Sequence, residues 1–499
     1  MIYNFNLGIG WASSGVEYAE SYRAKMLREI HQPAKFVFTD MFPRDSLALM
    51  TENIGFLDQE IIWLYTYFTD FEVAKVTYST KEFQKTLPKG EYRAERQGKR
   101  GRIFFDGSGN YVTLYFTDEE HAYIHRVEYV SENKLIRKDY FQDKRIYTEY
   151  YAPESGKAKL YMRRFFNRDG STAYEEMLGD EGEESIFRFP DRILYSKQEL
   201  IGYMVQSLCL GPKDTVIIDR ATGLAQPILE NVNQARVGVV IHADHFSEGS
   251  TSEDYILWNN FYDYVFTNHD SVDFYITATD QQNQLLCQQF EKYIGVRPKV
   301  ITIPVGSLSE LKYPKGKRDP HRIISASRLA REKHIDWVIL ACVKGHETIH
   351  DLSLDIYGVG GEEGNLKNLI EKNHAGDYIH LMGQKDLTDT YVNYGLYLSG
   401  STSEGFGLSL MEAIGSGCPI IGFDVRYGNP TFIRDGENGY LIPLHDRMTK
   451  EEKVDALCDK MLTLFKRNDL DQVYEKSYER AREFLTKEVM ERWNQVCSY

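Results

Sequence analysis

A short segment near residue 410 combines two carboxylates with two glycines at the start of a predicted helix. Glu404 and Glu412 bracket the run Gly405, Phe406, Gly407. Glycine lets backbone N–H groups approach a bound anion, and carboxylates accept hydrogen bonds from the hydroxyls of a sugar or a ribose. Each feature alone has an ordinary explanation, because a helical glutamate is usually solvated and a glycine before a helix often only makes a turn. Together they indicate a site for a nucleotide-sugar.

Two cations stand where they can reach the diphosphate of such a ligand. Arg328 and Lys333 follow a predicted strand at residues 323–326. Ligands of open parallel sheets collect beyond the carboxyl ends of the strands, so both side chains are predicted to neutralise a leaving diphosphate. The alternative is that they are surface cations of a connecting loop. The glutamate segment further along the chain disfavours that alternative.

Three further residues stand at the carboxyl ends of predicted strands. His242 follows residues 237–241, and Gln384 and Lys385 follow residues 378–381. A histidine there can form a hydrogen bond with a sugar hydroxyl, although a lone loop histidine is more often structural. Backbone groups of Gln384 and Lys385 suit the flat edge of uracil. These residues extend the predicted site from the diphosphate to the sugar and the base.

The first predicted turn also leads into a helix start that can hold an anion. Ser13, Ser14 and Gly15 precede an apolar pattern of helical spacing, and the N–H groups of a helix start bind anions. The loop lacks the pattern G-x-G-x-x-G, so a dinucleotide site is not supported. The one Asp-x-Asp, Asp469 with Asp471, lies in a polar segment typical of a solvated helix face. The sequence has no evident metal-ligand cluster, so no metal is expected.

The composition is that of a large globular protein, whose 499 residues correspond to about three domains. The formal charge of -15 opposes duplex nucleic acid as a partner. The six cysteines form no C-x-x-C pair, which predicts reduced thiols in a cytoplasmic protein. No stretch approaches about 18 uninterrupted apolar residues and the apolar start lacks a basic leader, so neither a membrane span nor export is indicated.

The chain begins with an α/β pattern that a run of predicted β-hairpins interrupts. Residues 2–8 and 35–39 are predicted strands on either side of the first helix. From about residue 60 to about residue 195 the pattern changes to short, tyrosine-rich strands of period two, such as 111–116 and 163–166. We predict an antiparallel meander inserted into the first α/β domain. Its aromatic surface either faces another protein or packs on its own chain, and the sequence leaves both open.

The α/β pattern then resumes and continues through a second domain. The predicted strands are residues 215–219, 237–241, 264–267, 274–278, 299–303, 323–326, 352–357, 378–381, 396–399 and 419–423. Two Rossmann-like domains that face a cleft are the economical architecture. The predicted domains are residues 1–60 with 195–305, the inserted sheet at 61–194, the second Rossmann-like domain at 306–485 and a last amphipathic helix at 486–499.

The motifs resemble those of retaining glycosyltransferase family four, whose members have the GT-B fold. Arg328, Lys333, the loop from Glu404 to Gly407 and Glu412 carry the resemblance. More narrowly, the opening residues 6–19 are similar to those of the catalytic subunits that begin O-glycosylation of bacterial serine-rich repeat adhesins. The resemblance covers essentially the whole chain, including the inserted meander.

The resemblance implies transfer of N-acetylglucosamine from UDP to serine or threonine hydroxyls inside the cell, with no cofactor besides the sugar donor. It implies catalytic roles for Arg328, Lys333 and Glu404; UDP contacts for Gly15, Val16, Glu17, Tyr18, Ala19, Arg328, Lys333, Gln384, Lys385 and Glu412; and sugar contacts for His242, Glu404, Gly405, Phe406 and Gly407. In these roles the two cations hold the diphosphate and Glu412 holds the ribose. The family's glycine pair appears here as Ser14 and Gly15, which leaves the geometry of that loop open.

The resemblance also implies two protein partners. In this family the inserted sheet binds a homologous, non-catalytic glycosyltransferase subunit, and a serine- and threonine-rich polypeptide is the acceptor. No nucleic acid is implied. Peripheral association with the inner face of the cell membrane is left open.

Several alternatives stay open. Retention of configuration without an evident enzymic nucleophile favours front-face attack, in which the departing phosphate takes the proton of the attacking hydroxyl. The alternative mechanism uses Glu404 as a nucleophile. UDP-glucose is a second candidate donor, because pocket volume depends on side chains outside the motifs. A UDP-sugar epimerase and a chaperone without catalysis are rival functions. The inserted sheet disfavours the epimerase, and the set of cations and carboxylates disfavours the chaperone.

Overall fold

The computed structural model describes residues 1–9, 15–43, 46–90, 92–105, 109–180 and 184–497. The strands described, β1 to β23 in chain order, are Ile2–Asn6, Ala34–Phe38, Ile61–Trp63, Arg93–Gln97, Arg100–Phe104, Tyr111–Phe116, Ile124–Ser131, Lys134–Phe141, Arg145–Glu154, Lys157–Phe166, Thr172–Met177, Ile186–Arg188, Ile193–Leu194, Thr215–Ile218, Arg236–Ile241, Phe274–Thr277, Val300–Thr302, Asp319–Ala326, Ser353–Tyr357, Ile379–Gly383, Tyr394–Leu398, Ile420–Phe423 and Gly439–Ile442.

The helices lie between these strands. The α-helices described, α1 to α15 in chain order, are Gly15–Glu29, Leu47–Asn53, Leu64–Tyr67, Thr80–Thr86, Lys197–Ser207, Ala225–Leu229, Asp263–Thr267, Asp280–Tyr293, Ile335–His346, Glu363–Lys372, Leu408–Gly415, Gly428–Phe432, Lys450–Phe465, Leu470–Ala481 and Thr486–Cys497. Short 3-10 helices are Asp58–Glu60, Glu248–Ser250, His269–Ser271, Arg331–Lys333, Tyr391–Asn393 and Arg482–Phe484. Ser13 and Ser14 of the first predicted turn lie outside the described residues.

The chain divides into two compact units. The first comprises Met1–Lys25, Gln32–Val240 and Trp258–Asp273, and the second comprises Met26–His31, Ile241–Leu257 and Phe274–Tyr499. The domain boundaries expected from the sequence stay a prediction.

The part of a parallel sheet that lies in the first unit has the strand order β15, β14, β1, β2, β3. β1 pairs with β14 on one side, with Ile2 opposite Thr215, and with β2 on the other side, with Ile2 opposite Ala34. Directly after β14, the carboxylate of Asp219 accepts two hydrogen bonds from the buried guanidinium of Arg23, at 2.6 and 2.7 Å. The predicted strands at residues 2–8, 35–39, 215–219 and 237–241 are confirmed.

The inserted sheet is confirmed as an antiparallel meander of ten strands, β4 to β13 in sequential order. The register places Tyr140, Tyr147, Phe165 and Tyr174 opposite one another on successive strands, so their side chains share one face. Their rings are buried and stack with centroids 4.1 to 5.5 Å apart. Tyr65, outside the sheet, stacks on Phe165 at 5.7 Å. For this row of rings, packing on its own chain is therefore the correct interpretation.

The main sheet of the second unit is parallel, with the order β20, β19, β18, β21, β22, β23. Successive residues of β18 point to opposite faces: Ile323 packs with residues of α9 and α13, and Ile324 packs with residues of α11 and α14. Because helices cover both faces, the sheet is doubly wound as predicted. β18 and β21, which precede the two loops richest in predicted site residues, are neighbours at its centre.

The predicted strand at residues 264–267 is wrong, because these residues belong to the helix Asp263–Thr267. A short apolar run does not distinguish a buried strand from a helical turn by its period. The rings of Tyr262 and Phe266, four residues apart, pack at 5.8 Å, and helical spacing places both on one face. Outside the meander, the described strands Ile61–Trp63 and Gly439–Ile442 were not predicted.

The last helix, α15, is amphipathic as predicted. It buries Val489, Trp493 and Val496, and Nη1 of Arg492 donates to the carbonyl oxygen of Thr302 at 3.2 Å. Among the helices that the structure describes, none combines the length and the apolar character that crossing a membrane needs.

Candidate functional site

The two loops richest in predicted site residues meet at one edge of the second unit's main sheet. β18 and β21 are parallel neighbours, so the loops that follow them leave the sheet at the same edge. The first loop carries Arg328 and Lys333, and the second carries Glu404. Nζ of Lys333 lies 2.7 Å from Oε2 of Glu404. The fold thus joins a cation and a carboxylate that are 71 positions apart in the sequence.

The Lys333–Glu404 ion pair is shielded from solvent, with side chains 14% and 20% exposed. Nζ of Lys333 also lies 3.4 Å from Oγ of Ser401 and 3.4 Å from the carbonyl oxygen of Ser403. An ammonium group has three N–H donors, so these three acceptors account for all of them. An anion that binds Lys333 therefore competes with Glu404 for the same hydrogens.

Arg328 lies apart from this pair. Its side chain is 78% exposed, and Nη2 donates to Oε1 of Glu332 at 3.3 Å. An exposed ion pair contributes little free energy, so the guanidinium can exchange this partner for an anion from solvent at small cost. The structure brings Lys333 and Glu404 together, and it leaves Arg328 as a second cation in the same loop.

The geometry of the loop from Glu404 to Gly407 requires glycine at its last position. Gly407 has φ 90° at the start of α11, and a Cβ there would lie 2.7 Å from Cδ1 of Leu410 and 3.2 Å from Cγ of Glu404. The side chain of Phe406 is buried in the core against Phe432, with ring centroids 5.0 Å apart. A ligand at this loop can therefore meet only backbone groups of Phe406 and Gly407, next to the open N–H groups of the first turn of α11.

Two further loops pack against the cationic loop at the same edge. The backbone hydrogen bonds between them are Ser327 N to Tyr357 O (3.1 Å), Leu329 N to Val359 O (3.0 Å) and Gly358 N to Gly383 O (2.9 Å). A Cβ on Gly358 would lie 1.9 Å from the carbonyl oxygen of Ser327, so only glycine allows this approach. Gln384 and Lys385 follow Gly383 directly and are exposed. The predicted base-binding residues thus lie at the same edge as the cations.

Glu412 lies one turn into α11, and its carboxylate has a partner that the sequence did not indicate. The hydroxyl of Tyr391 donates to Oε2 of Glu412 at 3.0 Å. Burial raises the pKa of Glu412, the hydrogen bond from Tyr391 lowers it, and the charge of Asp386 raises it. No local spacing links Tyr391 to the motif, because it belongs to a separate 3-10 helix before β21.

His242 follows β15, and its backbone approaches the glutamate loop. A Cβ on Gly405 would lie 3.4 Å from the carbonyl oxygen of His242. His245 is buried, and Nε2 lies 2.7 Å from Oε1 of Gln289. Burial lowers the pKa of His245 to about 4, so this ring is neutral and structural. The role of His242 as a ligand of the sugar stays a prediction.

Arg426 connects the loop after His242 to the loop from Glu404 to Gly407. The sequence did not predict this role for Arg426. The amide N–H of Glu404 donates to the carbonyl oxygen of Arg426 at 3.2 Å, and the amide of Tyr427 donates back to Glu404 at 2.6 Å. Nη2 of Arg426 donates to Oε2 of Glu248 at 3.0 Å, and its guanidinium lies 4.8 Å from the ring centroid of Phe246. The backbone position of Glu404 is thereby tied to the loop that follows His242.

The predicted UDP contacts at the first helix are only partly open to a ligand. Glu17 and Ala19 are buried, and Nη2 of Arg220 donates to Oε1 of Glu17 at 3.2 Å. Tyr18 is exposed, and Gly15 and Val16 begin the helix. Because the loop before them lies outside the described residues, their contact with UDP stays a prediction. In the described part of the chain, no group of three or more His, Cys, Asp or Glu side chains could hold a metal ion.

Two parts of the chain match known protein families. Residues 93–191 match the family described as "GtfA extended beta-sheet domain". Residues 310–479 match the family described as "Glycosyl transferases group 1". The first match lies on the antiparallel meander, and the second contains Lys333, Glu404 and Glu412.

Full-length relatives agree with these matches. The chain is 52% identical to the UDP-N-acetylglucosamine–peptide N-acetylglucosaminyltransferase GtfA subunit of Streptococcus gordonii, over 99% of this chain and 98% of that protein. A crystal structure of a GtfA/B complex is similar with a TM-score of 0.97 and 51% identity, covering 100% of this chain and 99% of that one. The pneumococcal O-GlcNAc transferase GtfA in complex with UDP and GlcNAc has a TM-score of 0.91 and 47% identity, over 100% and 98% of the two chains. The predicted GT-B fold class is confirmed.

Proposed function

This chain belongs to the family of GtfA subunits of UDP-N-acetylglucosamine–peptide N-acetylglucosaminyltransferases, and we propose that it transfers N-acetylglucosamine from UDP to serine and threonine hydroxyls of a polypeptide. Relatives named for this activity are similar over nearly the whole chain. One of the similar structures contains UDP and GlcNAc. The predicted resemblance to these subunits is confirmed over nearly the whole chain.

The observation that carries the proposal is the Lys333–Glu404 ion pair at the carboxyl ends of β18 and β21. A leaving diphosphate needs a fixed cation, and a sugar needs acceptors for its hydroxyls. Lys333 supplies the first and Glu404 the second, within 2.7 Å of each other. Arg328 adds a mobile cation, and Glu412 accepts the ribose hydroxyls. A chaperone without catalysis has no need of this arrangement.

In the proposed reaction, the acceptor hydroxyl oxygen forms a bond to C1 of the sugar while the bond from C1 to the diphosphate oxygen breaks. The electron pair of the broken bond stays on UDP, and the acceptor proton passes to a phosphate oxygen. Lys333 and Arg328 stabilise the developing negative charge. Attack on the face from which UDP departs retains the configuration at C1. Oε2 of Glu404 is already engaged by Lys333, which argues against Glu404 as the nucleophile.

We expect the reaction to proceed without a metal, because cationic side chains and the N–H groups of a helix start bind the diphosphate. Transfer should be unchanged in an excess of EDTA. A loss of activity in EDTA that added Mg²⁺ restores would contradict this expectation.

We further propose that a homologous, non-catalytic subunit binds the inserted sheet, and that the acceptor is a serine- and threonine-rich adhesin modified in the cytoplasm before export. Two findings support a partner subunit: the match of residues 93–191 to the GtfA extended beta-sheet domain, and the likeness to a chain of a GtfA/B complex. Co-purification of the two subunits tests this proposal. The experiment compares the wild-type chain with variants in which exposed side chains of the inserted sheet are replaced.

Mass spectrometry of a serine- and threonine-rich peptide tests the activity. The peptide is incubated with this chain, with and without the partner subunit, and with UDP-N-acetylglucosamine or UDP-glucose in turn. A mass gain of one N-acetylhexosamine on hydroxyl residues is the expected result. A gain of one hexose only would assign UDP-glucose as the donor, and no gain with either donor while UDP still binds would overturn the transferase.

A further inference from the structure

Tyr391 is buried beside the carboxylate proposed to hold the ribose. Its side chain is 1% exposed, and its hydroxyl donates to Oε2 of Glu412 at 3.0 Å. Within the described residues, Oε1 of Glu412 receives no hydrogen bond from the protein. One oxygen of the carboxylate is therefore held by the protein, and the other is left for a ligand.

The ring of Tyr391 is itself held firmly. It belongs to the core cluster that also contains Leu410 and Ile414 of α11. Its neighbour Tyr397, at a centroid distance of 6.4 Å, donates to the carbonyl oxygen of Ala326 at 2.7 Å and lies 3.0 Å from Oγ of Ser409. Tyr397 thus ties α11 to the end of β18, where the cationic loop begins, and the ring of Tyr391 packs beside it. A side chain fixed in this way can orient the group to which it donates.

We propose that Tyr391 is a positioning residue, whose hydroxyl holds the carboxylate of Glu412 oriented so that Oε1 accepts the ribose hydroxyls of UDP. This inference rests on the proposed function, in which Glu412 is the ribose ligand. Tyr391 itself touches neither the sugar nor the diphosphate in this proposal. It acts through Glu412 alone.

The charges around Glu412 predict how loss of the Tyr391 hydroxyl changes the pKa of this carboxyl group. Among the described residues, the titratable groups found to interact with this carboxylate are Tyr391, Asp386 and Tyr397. Burial and Asp386 raise the pKa of Glu412, and of these neighbours only the hydroxyl of Tyr391 opposes them. Without that hydroxyl the pKa of Glu412 rises further, so the carboxyl group takes up a proton at a higher pH. A protonated carboxyl group accepts fewer hydrogen bonds, and ribose binding weakens from the acidic side.

Calorimetric titration of the full-length Tyr391→Phe variant tests the inference. The probes are UDP and 2′,3′-dideoxy-UDP, which lacks both ribose hydroxyls, each titrated from pH 5.5 to 8.5. We expect the Kd for UDP to rise about fivefold at pH 7, the range of one lost hydrogen bond. The deficit should grow toward pH 5.5 and shrink toward pH 8.5. The Kd for dideoxy-UDP should be the same in the variant and the wild type.

Tyr394→Phe is the matched control. Tyr394 is equally buried and only three positions away, but its hydroxyl donates to Oδ2 of Asp355 at 2.7 Å. This variant should lose stability and keep the wild-type affinity for UDP at every pH.

A second variant, Glu412→Gln, should bind UDP without the pH dependence of the wild type. Adding Tyr391→Phe to Glu412→Gln should not lower the affinity for UDP any further.

The outcomes separate the inference from the proposed function. If the wild type binds UDP and dideoxy-UDP equally, the ribose assignment of Glu412 fails. If the wild type prefers UDP but Tyr391→Phe binds it as tightly at every pH, the positioning role is overturned. An equal loss of affinity for both probes in Tyr391→Phe would also overturn it, since it would show a general distortion of the site.

Discussion

Arg328 and Arg331 stand three positions apart in the loop after β18, with side chains 78% and 91% exposed, yet they pair with different carboxylates, Glu332 and Glu362. The two arginines therefore make a matched test of which cation serves the diphosphate. We expect Arg328→Ala to lower kcat/KM about 100-fold, the range found when one donor to a developing charge is removed. Arg331→Ala should stay within about twofold of the wild type.

Neither substitution should alter stability, because both side chains are solvated. Thermal unfolding of the two variants checks that expectation. Equal activities of Arg328→Ala and the wild type would remove Arg328 from the site.

Glu404→Ala should abolish transfer and leave the protein folded. The ammonium of Lys333 keeps Ser401 and Ser403 as acceptors in this variant, so it does not lose all its partners. Transfer to a peptide and circular dichroism are the measurements. Lys333→Ala should also abolish transfer, while Lys344→Ala, which removes an ion-paired lysine of α9, should not. Transfer by purified Glu404→Ala at the wild-type rate would contradict the site.

Gly407→Ala should damage both stability and activity. The residue has φ 90°, where a side chain costs about 1–2 kcal/mol, and the new Cβ would lie 2.7 Å from Leu410 and 3.2 Å from Glu404. Gly361→Ala is the control, because a Cβ there meets nothing within 4 Å. We expect a lower unfolding midpoint and a lower kcat for Gly407→Ala only. Wild-type behaviour of Gly407→Ala would mean that the loop adopts another conformation.

Glu20→Gln should stabilise the first unit at high pH. Burial, and then the charge of Asp219, raise the pKa of Glu20 well above its ordinary value of 4.5, against the opposing charge of Arg23. A carboxyl group with a raised pKa in the folded state loses stability as the pH rises above 4.5 until it ionises in the fold. Glutamine keeps the shape and cannot ionise, and its amide can still accept from Nδ2 of Asn6, which donates to Glu20 at 2.7 Å.

The measurement is the unfolding midpoint of Glu20→Gln and the wild type between pH 5 and pH 9. The variant's advantage should grow with pH. Glu29→Gln, an exposed change on the same helix, is the control for replacing glutamate by glutamine. A variant that is less stable than the wild type at pH 9 would contradict the interpretation.

Tyr161→Asp should weaken binding of the partner subunit and spare UDP binding. Tyr161 lies in β10 at a register shift between Leu160 and Met162, and its side chain is 40% exposed. A charge placed in a protein interface must be desolvated, which we expect to cost at least tenfold in affinity. Tyr255→Asp, an exposed tyrosine outside the sheet, is the control. Ile136 of β8 is also exposed on the sheet, and unchanged complex formation by both Tyr161→Asp and Ile136→Asp would place the interface elsewhere.

Much of the fold could be predicted because local patterns report burial. The period-two segments at 111–116 and 163–166 became strands of the meander, since alternation places one set of side chains on each face. The short run at 264–267 failed because its pattern fits a buried strand and a helical turn equally well, and packing of Tyr262 on Phe266 decided between them.

The candidate site was predictable in its chemistry and only partly in its contacts. Arg328, Lys333, Glu404 and Glu412 were identified from residue type and spacing, and Lys333 and Glu404 do meet. That Phe406 turns into the core could not be predicted, because its neighbours Phe432 and Phe484 come from distant segments. Tyr391 and Arg426 were missed for the same reason.

The sequence by itself determined the kinds of element and the chemical groups available to the site, because side-chain periodicity and residue type are local properties. Only the tertiary structure decided which groups meet. The order of the strands in the sheet places the loops after β18 and β21 side by side, and so pairs Lys333 with Glu404 across 71 positions. The packing of the core places Tyr391 on Glu412. Such contacts depend on free energies summed over many distant residues, which no local pattern records.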